Sequence, residues 1–179
     1  LAHLGITDAL LIVVRAFDDD RGAPADPEAD LAAIELEMLL SDMQKVENRL
    51  PRLHRSLTGA KGAERERFVA EQAALDKIKA RLDAEQPLRG LELEPEEDKA
   101  VRGFQFLSLK PMLAVFNVSE GGLKSGEDWP ARLSGRWRPG LAMGLQLCAA
   151  AEMEIARLDE AERAAFLADY GIAEPAAHR

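Results

Sequence analysis

An asparagine and a glutamate three residues apart, Asn117 and Glu120, close the apolar run Pro111-Met112-Leu113-Ala114-Val115-Phe116. A run this short, led in by Lys110-Pro111 and followed by a polar turn, reads as a buried parallel strand delivering a loop. Open α/β sheets bind ligands at the carboxyl ends of their strands, where an Asn amide can pair with a purine and a carboxylate can test its edge. The chemistry these residues suggest is therefore base reading. The guanine-selective form of such a loop is Asn-Lys-X-Asp, and here Val118 replaces Lys and Glu120 replaces Asp, which compromises the guanine test. On its own residues the pattern is equally that of a strand ending in a polar turn, with Asn117 capping a loop.

The elements that must position this loop can be read on either side of it. Asp8 leads into Ala9 through Val14, a continuous aliphatic run expected of a strand covered on both faces. Asp18-Asp19-Asp20, Gly22 and Pro24 form the loop after it; three carboxylates in a row admit a metal reading and, without a spaced ligand set, a solvated loop. At Asp26-Pro27 the pattern turns helical, with Asp26 as cap, Pro27 in the first turn, and Glu28 and Asp30 complementing the helix dipole. Leu36, Leu39, Met43, Val46, Leu50, Leu53 and Leu57 alternate in spacings of three and four, as in a coiled-coil seam, with Pro51 expected to kink its distal end. After Thr58-Gly59-Ala60-Lys61-Gly62 the chain turns back, and Phe68, Leu75, Ile78 and Leu82 supply the partner seam, interrupted by polar Glu71. The expectation is an antiparallel helical hairpin with arms of roughly 30 residues, spanning ~40 Å.

Pro87-Leu88-Arg89-Gly90 ends the hairpin, and Glu94-Pro95-Glu96-Glu97 starts a short helix carrying Val101, Phe104 and Phe106 toward a core. The Gly-rich stretch 121–140 reads as loop. Its Trp129 and Trp137 fit packing anchors, or less readily a ligand platform. Leu141 to Leu147 makes a poor last strand because of Gly144 and Gln146, and it leads to Cys148-Ala149. Cys148 reads as an inert buried thiol or, at a helix start, as a redox site. Asp159 and Glu162 cap a final helix ending at Tyr170-Gly171. These boundaries divide the chain into a strand and loop over 1–25, the hairpin over 26–86 and the remaining α/β part over 87–179.

The 179 residues carry a net charge of −9, which argues against a general nucleic-acid-binding surface. Basic residues nevertheless gather at the hairpin tip: Arg49, Arg52, His54, Arg55, Lys61, Arg65 and Arg67. They read either as a solvated helix tip or as a contact for RNA or a ribosomal surface. A single cysteine forms no internal disulfide, and the sequence shows no signal peptide and no apolar run of membrane-spanning length, so a cytoplasmic compartment and no membrane partner are expected.

Taken in order, these segments resemble the Obg-like ATPases of the YchF type, a branch of the translation-factor-related P-loop GTPases. The matching segments are Leu1 to Leu4, Thr7 to Asp20, Asp26-Pro27 through Met43, Pro87-Leu88-Arg89, Leu107 to Pro111, Asn117 to Glu120, Cys148-Ala149, Asp159 to Ile172 and Glu174-Pro175. The resemblance is weak over about residues 121–145. It implies an α/β fold: an incomplete P-loop NTPase-type sheet with an inserted antiparallel coiled-coil hairpin. It also implies a parent protein that hydrolyses ATP, with GTP less favoured, using Mg²⁺ carried with the nucleotide, and with the ribosome as a partner. The base contacts implied are Asn117, Val118, Glu120, Cys148 and Ala149, with Val118 packing on the ring plane and the backbone amide of the small residue approaching the purine. No Gly-X-X-X-X-Gly-Lys-Ser/Thr occurs in the 179 residues, so the nest and lysine that cradle phosphates are missing from them. The expectation is an internal piece holding base recognition without catalytic residues or a metal site; a non-catalytic coiled-coil interaction module with a degenerate nucleotide fold is the alternative.

Overall fold

The computed structural model describes residues 2–18, 24–172 and 174–176. Asp19, Asp20 and Gly22 of the expected acidic loop lie outside the described residues.

Packing groups the chain into two units, Leu1–Leu10 with Ala32–Pro111 and Leu11–Leu31 with Met112–Arg179. The first is built on two long helices, α1 (Pro27–Gly59, whose opening residues belong to the second unit) and α2 (Gly62–Asp83). Asp26 caps α1 as its position suggests, accepting from Ala29 N at 3.0 Å, and α1 runs unbroken through Pro51. The helices meet through Val46 and Leu53 on one side and Ala74, Leu75, Ile78 and Leu82 on the other, all buried, with Leu39, Met43, Leu50, Leu57 and Phe68 partly covered. Two details differ from the seam expected. Leu36 is 49% exposed, and the second arm has 22 residues. Glu71, which reads as an interruption, is 5% exposed and takes a two-pronged hydrogen bond from Arg49, Nε to Oε1 at 2.6 Å and the terminal nitrogen to Oε2 at 2.8 Å. That bond holds the Arg49 guanidinium pKa above its usual value.

Residues 87–111 pack with these helices. Helix α3 (Pro95–Val101) starts with a capping box in which Glu97 accepts from Glu94 N at 2.9 Å, and Lys77 of α2 reaches the same carboxylate at 2.7 Å. Asp42, fully buried in α1, accepts from Leu107 N (2.9 Å), Ser108 N (2.8 Å), Ser108 Oγ (2.8 Å) and Lys45 Nζ (3.2 Å). A buried carboxylate persists only when its lone pairs are filled in this way. Arg89, 3% exposed, pairs with Glu35 at 3.0 Å, and burial pushes its guanidinium pKa down against the pull of Glu35 and Asp42.

The second unit carries a three-stranded sheet in the order β1 (Leu10–Ala16), β2 (Met112–Val118), β3 (Ala142–Leu147); β2 and β3 run parallel, with Asn117 opposite Leu147. Strand β1 is covered on one face only. Ile12, Val14 and Ala16 are buried, whereas Leu11 and Val13 are 64% and 62% exposed. An apolar run does not reveal which of its two faces is covered, and the alternation seen here corrects the expectation of a strand buried on both.

The stretch expected to be loop folds into α4 (Glu120–Lys124), α5 (Trp129–Arg132) and a 3-10 turn. Ser119 and Asp128 supply the caps, accepting from Gly122 N and Ala131 N. The two tryptophans are packing anchors: Trp129 stacks on Phe116 of β2 at 6.2 Å and Trp137 meets it edge-on at 6.1 Å. Gly144 and Gln146, which weaken β3 as a sequence, serve this packing. A Cβ at Gly144 would lie 2.8 Å from the Trp137 ring, and Gln146 accepts from Trp129 N at 3.0 Å. Helices α6 (Ala149–Ile155) and α7 (Glu160–Asp169) complete the unit, α7 being capped by Asp159 and stopped at Gly171, where φ is +65°.

Candidate nucleotide-base site

Adjacent parallel strands bring Asn117 and the Cys148-Ala149 turn together at their carboxyl ends. The Asn117 side chain joins them: its Oδ1 accepts from Ala149 N at 2.9 Å. A carbonyl spent on the backbone in this way fixes the amide's orientation and leaves its NH₂ group to donate. Asn117 is half-buried and Ala149 exposed, so one side chain both ties the two loops and presents a donor beside them.

The other expected contacts fall into two kinds. Glu120 is exposed at the first turn of α4, and its Oε2 accepts from the Tyr170 hydroxyl at 2.8 Å. Val118 and Cys148 are buried, at 1% and 3% exposure. Strand alternation turns Val118 away from Asn117, and its Cβ sits 3.0 Å from where a Cβ on Gly122 would be. That corrects the idea that its side chain packs on a base. Cys148 is a free, buried thiol at the turn into α6. An open cleft of about 520 Å³ adjoins this turn, lined by Leu147, Cys148, Glu152 and Tyr170 among others.

From the sequence, Tyr170 reads only as a helix end. Its ring stacks on Phe166 at 4.5 Å, Lys124 Nζ lies 4.4 Å over it, and Lys124 also pairs with Asp169 at 3.1 Å. The hydrogen bond to Glu120, with burial and nearby acidic charge adding to it, pushes the phenol pKa up to about 12. The signal available in the sequence was the lone tyrosine following a helix-terminal Asp.

Around the turn from α1 into α2, Arg52, Arg55, Lys61, Arg65 and Arg67 are exposed. Arg49 is not part of a free cluster, because both prongs of its guanidinium are engaged by Glu71. No group of three or more His, Cys, Asp or Glu converges to hold a metal among the described residues. No described helix is long and apolar enough to cross a membrane.

The fold is that of the P-loop GTPase class. The structure of the Schizosaccharomyces pombe YchF GTPase superposes with a TM-score of 0.79 at 26% identity, covering 96% of this chain and 48% of that one. The ribosome-binding ATPase YchF of Bacillus subtilis (strain 168) is 36% identical over 180 residues, 97% of this chain and 48% of that protein. Its namesake in Escherichia coli O157:H7 is 32% identical over 183 residues, 100% and 49% respectively. The chain belongs to this YchF-type, Obg-like ATPase family. It spans about half the length of the curated relatives it matches. No protein-family model matches the chain.

Proposed function

We propose that this chain supplies the purine-reading part of a ribosome-associated P-loop NTPase that binds and hydrolyses ATP, with GTP less favoured, in the cytoplasm. The observation that carries the reading is the Asn117–Ala149 hydrogen bond of 2.9 Å, which unites two loops at the ends of neighbouring parallel strands. In this reading Asn117 donates through its amide to the purine, Ala149 and Cys148 offer backbone at the ring edge, and Glu120 meets the exocyclic side. Val118 acts by anchoring the loop in the core.

Guanine presents two donors that a short Asp carboxylate receives together; adenine offers only its exocyclic amine, so replacing Asp by Glu costs guanine more. The 179 residues contain no phosphate-binding loop, and most nucleotide affinity comes from phosphates and Mg²⁺. Hence the chain by itself does not hydrolyse nucleotide. In the full-length protein, Asn117→Ala should weaken both ATP and GTP about tenfold, the scale of a lost hydrogen bond in a site it also orders. GTP binding tighter than ATP by a factor of about ten would overturn the base preference.

The helical pair is proposed as the family's coiled-coil insertion, with Arg52, Arg55, Lys61, Arg65 and Arg67 meeting ribosomal RNA. Their exposure and clustering support this. Charge reversal at Arg52, Arg65 and Arg67 should abolish co-sedimentation with ribosomes. Unchanged sedimentation would remove the tip from the interface.

A further inference from the structure

Strand β3 closes the sheet, with β2 on one side only. Hydrogen bonds fix which of its groups face outward. Met112 N donates to Leu141 O at 2.9 Å with Met112 opposite Ala142, so the parallel ladder uses Leu141, Met143, Leu145 and Leu147. Ala142 gives the same phase from the other side. Its N donates to Arg138 O at 2.8 Å and its O accepts from Arg138 N at 2.9 Å, an antiparallel bridge on the outer edge. Main-chain groups alternate in direction along a strand, so Gly144 and Gln146 also turn their N–H and C=O outward. The bridge goes no further, because the residues before Trp137 are wound into the 3-10 turn Ser134–Arg136. Among the described residues nothing pairs with the main chain of Gly144 or Gln146.

Both residues line the open cleft of about 520 Å³ beside the Cys148 turn, and the cleft follows the strand: Gly144 through Cys148 border it in unbroken succession. Successive strand residues face opposite sides of a sheet, so a cleft that touches them all lies along the edge and not on one face. Strand β3 contains neither lysine nor proline, residues by which folded proteins protect a bare edge. The other walls carry Glu127, Asp128 and Glu152, and no lysine, arginine or histidine lines the cleft. Arg132, outside the lining, pairs with Glu127 at 3.1 Å and answers one of these charges.

We propose that the outer edge of β3 is a strand-addition site for an extended, basic segment of a partner protein, which continues the sheet by pairing with Gly144 and Gln146. Each of the two residues offers one donor and one acceptor, and such main-chain bonds hold a segment whatever its side chains. Selection for charge comes from the acidic walls, which receive its lysines or arginines. The five residues from Gly144 to Cys148 correspond to ~16 Å of extended chain. The site is independent of base reading, because it uses the side of β3 whereas Asn117 and Ala149 stand at the strand ends.

The test uses ¹⁵N-labelled full-length protein and an end-blocked octapeptide of alternating lysine and valine. Without peptide, the Gly144 and Gln146 amides should exchange with D₂O at least about 100-fold faster than those of Met143 and Leu145, and saturating peptide should slow them about tenfold or more. The same peptide N-methylated at every amide keeps its charge but loses its donors, and should bind at least about tenfold more weakly, as should a glutamate–valine peptide. Glu127→Lys, with a thermal melt to check the fold, should weaken the lysine peptide about threefold. Slow exchange at both amides in the free protein means that the edge is already covered, by another part of the chain or by a second copy, and overturns the proposal. Equal binding of the N-methylated peptide, or protection of neither amide, reduces the interaction to charge attraction and overturns it as well. Equal binding of the acidic peptide, or no change with Glu127→Lys, overturns the basic character of the partner.

Discussion

The two units spend their polar groups differently. In the first, buried charges are paired inward: Asp42 fills with four donors, Glu71 is closed by Arg49, and Arg89 leans on Glu35. In the second, the polar residues at the strand ends keep capacity in reserve. Asn117 uses its carbonyl and holds back its amide, and Glu120 engages one oxygen of two. The contrast is between saturated networks, which hold a scaffold in one arrangement, and half-spent groups, which suit the recognition proposed for Asn117 and Glu120.

The sharpest way to break the comparison is Asp42→Ala. It strands the amides of Leu107 and Ser108 in a dry interior and should cost about 3–5 kcal/mol, read by urea unfolding. A loss under about 1 kcal/mol would mean the cluster is not the closed network described. Next comes Arg49→Ala, which leaves the Glu71 carboxylate buried alone and should cost about 3 kcal/mol. Replacing both with Met and Leu should recover most of that loss; failure to recover would show that the pair contributes more than mutual neutralisation.

The smallest effect lies in the second unit and is one of pH. Tyr170 is the single tyrosine, and its phenol is raised from 10.0 to about 12, first by its bond to Glu120. Because the folded value exceeds the unfolded one, the contribution of this contact is complete below about pH 10, declines between there and about 12, and is gone above. Phenolate absorbance should follow that midpoint, and Glu120→Gln should bring it back toward the ordinary value. A midpoint that ignores Glu120 would sever the link between α4 and α7.

Much of this was legible in the chain because periodicity is a strong signal. The helical repeat from Leu39 to Leu57 and from Phe68 to Leu82 yields two packed helices, and the run ending in Phe116 yields β2. The misreadings have physical reasons. Charge type at a helix tip does not say which arginine already has a partner, and only the facing helix reveals that Arg49 belongs to Glu71. Hydrophobicity does not reveal that Val118 points inward while its neighbour points out. Gly-rich 121–140 lacks the repeat that would betray α5, a helix of four residues, since one turn has no period to detect. The Tyr170–Glu120 contact spans 50 residues of sequence, and no local pattern encodes it.

The packing of Trp129 and Trp137 against Phe116 has an optical consequence. Both of the chain's indoles belong to the second unit, so intrinsic emission follows β2 and its neighbours and is blind to the rest. Far-ultraviolet ellipticity is weighted the other way, toward the 33 residues of α1 and the 22 of α2. Two unlabelled signals thus watch two halves of one polypeptide. Their melting curves will superimpose if the halves lose structure together, and will part company if each half gives way on its own.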